Sequence, residues 1–188
     1  MVDADRIRRV EGIVFLLAFA GCVPAANFMI GHIGTECIPN GPCLIPVGFG
    51  LTAPSGVLLV GLGLVLRDLV QRRLGLAWSV AAIVMGAILS TTFTAPSLAL
   101  ASASAFLASE IADLFVFTPL QRRGLLIAAL SSSVVGLIVD SAMFLWLAFG
   151  SLDFLAGQVL GKAIMVTASL PFLLLLRNRD RKMGLYPA

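Results

Sequence analysis

The residues most able to do chemistry in this chain are charged side chains placed inside long apolar runs: Glu110, Asp113, Asp140 and Lys162, with Asp68 at the edge of one such run. An ionised group at membrane depth costs about 3 kcal/mol on insertion scales, so it must pair internally or line a wet cavity. Glu110 and Asp113 stand at i and i+3 of one helical stretch and so share a face. Asp140 and Lys162 each fall roughly 15 Å from the connection at Ser151 to Asp153, taking about 1.5 Å per residue, which lets them meet. Such a pair either neutralises two buried charges or takes part in a ligand pocket. Gln158 lies one turn before Lys162, and Ser133 and Gly136 share the face of Asp140. Asp68 is followed at i+4 by Arg72, a spacing that suits an interfacial salt bridge or an inward-facing carboxylate. Asn27 is a buried amide, worth about 1 kcal/mol as a helix-to-helix hydrogen bond, and a second polar contact for a ligand. Together these groups suit recognition of a polar small molecule.

Catalytic and energising motifs are missing. His32 is the single histidine, so H-E-x-x-H does not occur and a buried Ser–His dyad has no base. An aspartyl mechanism through Asp113 and Asp140 is the one enzymatic alternative. No G-x-x-x-x-G-K-[ST] is present to bind a nucleotide. The set His32, Glu36, Cys37 and Cys43 matches none of the usual zinc spacings. The expectation is therefore a chain that is not an enzyme and carries no metal or cofactor.

The elements that must position these groups follow from hydropathy. The chain has 188 residues, 59% hydrophobic and 12% charged, whereas soluble domains are about 25% charged. Runs near the roughly 20 residues needed to cross a bilayer recur from end to end. They predict helices near Val10 to Ile30, Pro54 to Leu69, Leu76 to Phe93, Ser97 to Phe117, Leu125 to Phe149 and Phe154 to Leu176. The fold expected is an all-α membrane protein, one transmembrane domain over residues 1–188 built as a six-helix bundle. Leu44 to Ala53 is apolar but holds Pro46, Gly48 and Gly50, so it reads as an extended or broken lead-in, with Pro54 in a first helical turn.

Basic residues mark the cytoplasmic side. Arg6, Arg8 and Arg9 precede the first helix; Arg67, Arg72 and Arg73 follow the second; Arg122 and Arg123 separate the fourth from the fifth; Arg177, Arg179, Arg181 and Lys182 follow the sixth. The connections near Gly31 to Cys43, Thr94 to Pro96 and Gly150 to Asp153 contain neither Lys nor Arg. That alternation requires both termini in the cytoplasm, in a multi-pass protein of the inner membrane. It also accounts for the net charge of +3 without a nucleic-acid partner. The stretch after Arg9 is too long for a signal-peptide core and reads as the first span. In the outer loop, Cys37 and Cys43 flank the turn-rich Ile38-Pro39-Asn40-Gly41-Pro42, where a disulfide or two free thiols are the alternatives to metal. Cys22 and the Gly21–Ala25 spacing read as helix packing.

Taken in order, these positions resemble the queuosine-precursor transporters, also called the vitamin uptake transporter family. Ala26-Asn27-Phe28 is similar to that family's Asn-containing segment, and Asp68-Leu69-Val70-Gln71-Arg72-Arg73-Leu74-Gly75 to its D-L-x-x-R-x-x-G stretch. Glu110-Ile111-Ala112-Asp113 resembles its [EQ]-x-x-D, Asp140-Ser141 its D-[ST], and Lys162 with Pro171 its K…P. The Cys37 to Cys43 loop and Ala53-Pro54-Ser55-Gly56 have no counterpart in that pattern. The resemblance implies uptake of 7-cyano-7-deazaguanine or its 7-aminomethyl analogue. A carboxylate can accept the N1–H and exocyclic amine of a guanine-like edge together. Glu110 is the first candidate for that role, with Asp113 or Asp140 as alternatives. Lys162 or Gln158 could donate to the carbonyl oxygen, and Phe28, Phe106 or Trp146 could stack. Beyond the substrate and the lipid bilayer, the partners open to the chain are a second copy or an energising ATPase complex.

Overall fold

The computed structural model describes residues 2–39, 41–91 and 96–185, without side-chain placement at 2, 3, 96 and 97. Six helices dominate: α1 (Val2–His32), α2 (Val57–Leu74), α3 (Leu76–Leu89), α4 (Pro96–Leu120), α5 (Leu125–Phe149) and α6 (Leu155–Met183). Between α1 and α2 lie β1 (Glu36–Cys37), β2 (Cys43–Gly48) and β3 (Leu51–Pro54), a small antiparallel sheet in the order β1-β2-β3. The expected outer connection at Thr94 to Pro96, and the end of the third predicted helix at Phe93, fall largely outside the described residues.

The mostly helical fold also carries a small sheet, in the stretch expected as an extended or broken lead-in. Pro46, Gly48 and Gly50 discourage helix, and the chain satisfies its backbone by strand pairing instead, as it must wherever it leaves water. Leu44 pairs with Pro54, Ile45 with Ala53 and Pro46 with Thr52, followed by a bulge and the turn Gly48-Phe49-Gly50. Cys37 and Cys43 face each other across β1 and β2 and are joined by a disulfide. Pro54 ends β3 rather than opening a helix, and α2 starts three residues later. The hairpin sits on the start of α6, where Val47, Ala53 and Val57 pack with Leu160. Glycine permits that approach: a Cβ on Gly157 would run into the Thr52 carbonyl, and one on Gly161 would meet Val57 at 2.9 Å.

Helix directions follow from who touches whom. Gly12 of α1 lies against Leu74, at the end of α2, and Gly56 lies against Ala26, so α1 and α2 are antiparallel. The single residue Gly75, at φ 91°, then turns the chain into α3. Asn27 near the end of α1 reaches the Ser90 carbonyl just past α3 at 2.6 Å, so α3 runs beside α1 in the same sense. The main core joins Phe15 and Phe19 of α1, Val65 and Leu69 of α2, Phe117 of α4, Leu125 of α5 and Leu173 of α6.

The second predicted helix requires a further correction. Arg67, Arg72 and Arg73 do not follow it; they are its last turns, and all three are buried. Helix propensity does not stop where hydropathy falls, and arginine is a good helix former. For the same reason α1 begins before the predicted Val10 and α6 continues past Leu176.

Candidate functional site

Two polar regions occupy the interior, and they divide the sequence-predicted residues between them. The first is an ion-pair layer around Arg67, a side chain with no exposed surface. Its Nε donates to Glu110 Oε2 at 2.9 Å, its Nη2 pairs with Asp113, and its Nη1 donates to Gln71 Oε1 at 3.2 Å and lies 3.1 Å from Asp68 Oδ1. The guanidinium also stands over the Phe117 ring, 5.9 Å from its centroid. Ser132 donates to Asp68 Oδ2 at 2.9 Å. The i, i+3 spacing of Glu110 and Asp113 thus turns both carboxylates toward α2. Gly136 of α5 makes room for Asp113, whose Oδ2 would lie 3.1 Å from a Cβ there. Asp68 Oδ1 and Asp113 Oδ2 are buried and receive no hydrogen bond.

The second ion pair is Lys162 with Asp140. Lys162 Nζ donates to Asp140 Oδ2 at 2.6 Å and to Ser141 Oγ at 2.7 Å, and Ser109 Oγ lies 3.4 Å from Asp140 Oδ1. The α6 backbone at Lys162 comes so close to α2 that only glycine fits at position 61, where a Cβ would lie 2.9 Å from the Lys162 Cα. Across both clusters, four carboxylates (Asp68, Glu110, Asp113, Asp140) face two cations (Arg67, Lys162).

The second region is a cavity of about 60 Å³ between α1, the start of α2, α4, α5 and α6. Asn27, Asp140 and Gln158 supply polar groups to its wall, with Ser90 and Ser102, while Phe19, Phe106 and Phe144 supply rings. Ser102 Oγ lies 3.3 Å from Asn27 Oδ1, which ties α4 to α1 on this wall. Cys22 lines the cavity as well. Asp140 is common to both regions, one oxygen on Lys162 and its side chain on the cavity wall.

Of the predicted residues, Asn27, Asp140 and Gln158 come together at the cavity, whereas Asp68, Glu110 and Asp113 belong to the Arg67 layer and Lys162 to the pair it forms with Asp140. Among the expected stacking partners, Phe106 lines the cavity; Phe28 stacks on His32 at 4.4 Å and Trp146 is 63% exposed, so both turn away. Ser133 is buried but it is Ser132 that bonds Asp68. Arg67 is the central residue that sequence reasoning missed, having been counted as a topology signal. The available clue was charge balance: Glu110 and Asp113 on one face need a cation, and an arginine fork, with five donors, suits two carboxylates together. Among the described residues no group of three or more metal-ligating side chains occurs.

The outer surface of the helices is apolar, with Leu17, Leu100, Phe115, Trp146 and Leu175 all exposed. Among the described residues, four helices are long and apolar enough to cross a membrane: Ala4–His32, Leu98–Leu120, Leu125–Phe149 and Leu155–Met183. A lipid-facing exterior around buried polar clusters defines a multi-pass helical membrane protein with an internal cavity. Residues 77–176, the span from α3 to α6 that carries Glu110, Asp113, Asp140, Gln158 and Lys162, match the family model described as "Putative vitamin uptake transporter", and the chain belongs to that family of membrane transporters. No curated protein and no solved structure matches the chain.

Proposed function

We propose that the protein is a six-span uptake transporter of the inner membrane, with both termini in the cytoplasm, that carries 7-deazaguanine precursors of queuosine. The observation that carries this reading is the convergence of Asn27, Asp140 and Gln158 on one cavity beside aromatic rings. A planar, guanine-like base presents two adjacent donors and a carbonyl on one edge. Asp140 accepts from the donors, Gln158 donates to the carbonyl, and Phe106 stacks on the ring. Asn27 completes the contacts from the opposite wall. The order of candidates changes accordingly: Asp140 takes the role first assigned to Glu110, because Glu110 is held by Arg67 behind the cavity.

The cavity is well below the roughly 300 Å³ of typical ligand sites, so this form is contracted and the base enters a wider one. The Arg67 layer then serves as the barrier that separates the cavity from the cytoplasmic end. Alternating access requires those ion pairs to part and re-form around the ligand. α2 and α3 complete the six crossings in this reading. α2 is short and charged, and β3 preceding it supplies extended chain, so strand and helix cross together.

The test is uptake of labelled 7-cyano- and 7-aminomethyl-7-deazaguanine into queuosine-synthesis-deficient cells expressing this chain alone, scored by queuosine in tRNA. Appearance of queuosine at low external precursor is the expected result. Its absence, with the protein verified in the membrane, refutes unaided uptake of these bases. Asp140→Asn should abolish uptake, whereas Glu110→Gln should lower it less; the reverse order returns recognition to Glu110. Repeating uptake with a proton ionophore reads whether one of the buried carboxylates couples transport to protons.

A further inference from the structure

At the end of the bundle opposite the hairpin lies a groove of about 290 Å³, between the α4–α5 turn and the last turns of α6. Among the described residues its lining includes Arg72, Arg122, Arg123, Arg177 and Arg181 against a single carboxylate, Asp180. Asp180 is already committed. It accepts from Arg72 at 3.0 and 3.1 Å and from Arg73 at 2.7 and 3.0 Å. The remaining ion pairs of this end join Glu11 to Arg73 and to Arg179. Arg122, Arg123, Arg177 and Arg181 enter none of them.

Two further observations concern the walls of the same groove. The Nε of Arg177 is buried and has no hydrogen-bond partner. α5, 25 residues long, begins at this wall with Gly124 and Leu125 and with no side-chain cap, so the positive end of the helix faces it. Orientation in the membrane explains basic residues at this end, but it requires only that they be present. It does not require four unpaired arginines to converge on one concavity, nor a guanidinium nitrogen to be buried without an acceptor. Arginine forks and free helix amides in combination match tetrahedral oxyanions.

We propose that this groove binds an anionic phosphate group, and that its place at the helix ends favours the phosphodiester headgroup of a membrane lipid as the source. Basic recesses between helix ends are suited to such headgroups, at about 1 kcal/mol per arginine near the surface. A bound headgroup would link the α4–α5 turn to α6. Through Asp180 it would also link them to Arg72 and Arg73 of α2, the helix that holds Arg67.

The experiment is thermal unfolding of the purified full-length chain in neutral detergent, titrated with dioleoylphosphatidylglycerol, dioleoylphosphatidylcholine or inorganic phosphate. A saturable rise in midpoint with phosphatidylglycerol, and none with phosphatidylcholine, is expected. The pair Arg122→Gln/Arg177→Gln should weaken the apparent affinity roughly 30-fold. The pair Arg6→Gln/Arg9→Gln, basic but outside the groove, should leave it within about twofold. If inorganic phosphate produces the same rise and competes with the lipid, the phosphate site stands and its source is soluble. No rise with either phosphate, or equal weakening by the two variant pairs, overturns the proposal. Native mass spectrometry of the unaltered chain covers a groove variant that fails to fold. One phosphatidylglycerol retained after neutral lipid is stripped supports the site, and a featureless ladder of adducts overturns it.

Discussion

The cavity and the ion-pair layer lie side by side in the same bundle and treat polar groups in opposite ways. At the cavity, amides, hydroxyls and one carboxylate line space that is not filled by protein. In the layer, every charge presses on another charge, and Arg67 alone holds Glu110, Asp113, Asp68 and Gln71. A binding region must leave some hydrogen-bonding capacity unused for the ligand. A barrier must pair its charges, since an unpaired charge in a dry interior is costly; Arg67 does so for all three carboxylates, while Asp68 Oδ1 and Asp113 Oδ2 still receive no hydrogen bond. Asp140 stands at the boundary, and that is what would let ligand binding be felt by the layer.

Breaking the layer should have the largest effect. Arg67→Met leaves three carboxylates without their common cation and is expected to cost about 3–5 kcal/mol, read by thermal unfolding in detergent. Adding Asp113→Asn should restore part of that loss; a single variant as stable as the parent would mean the layer is not closed. Next is the disulfide that ties β1 to β2. Closing so short a loop, with a sequence separation of six, contributes about 2 kcal/mol in the loop-entropy account. Cys43→Ser should therefore lower stability by that amount, read by thermal unfolding, and reductant should lower the parent to the same value. The smallest effect on stability belongs to the cavity wall. Gln158→Ala should raise the KM for uptake about tenfold, as loss of one hydrogen bond to ligand would, while stability moves by less than about 1 kcal/mol. A stability loss as large as that of Arg67→Met would erase the distinction between the two regions.

The helices and their order were legible because membrane crossing imposes length and hydropathy on consecutive residues. The pairing of Asp140 with Lys162 was legible too, since two helices joined by a short connection fix relative depth. Arg67 was not, because its partners Glu110 and Asp113 are 43 and 46 positions away in the chain and local spacing says nothing of them. The same holds for Arg72 and Arg73, whose shared partner Asp180 is more than 100 positions on. Read locally, three arginines near the end of an apolar run are a topology signal; in space they are structural. The hairpin was visible as an extended or broken stretch, but its strand pairing was not. Its register depends on β2 meeting β3 and on Gly157 and Gly161 letting both approach α6.

In the six-span reading, the shortness of α3 sets a demand on the surrounding lipid. Fourteen residues rise about 21 Å, against a hydrocarbon core of about 30 Å. Trp78, Val80, Val84, Met85 and Ile88 are exposed along it and offer acyl chains a lower wall than the 29-residue span of α1. Bilayer leaflets must pinch inward at that edge, since leaning would shorten the reach of the helix further. Thinning costs a fraction of a kcal/mol per Å of mismatch, so membrane thickness becomes a variable acting on α3 and, through the Asn27–Ser90 contact, on the α1 wall of the cavity.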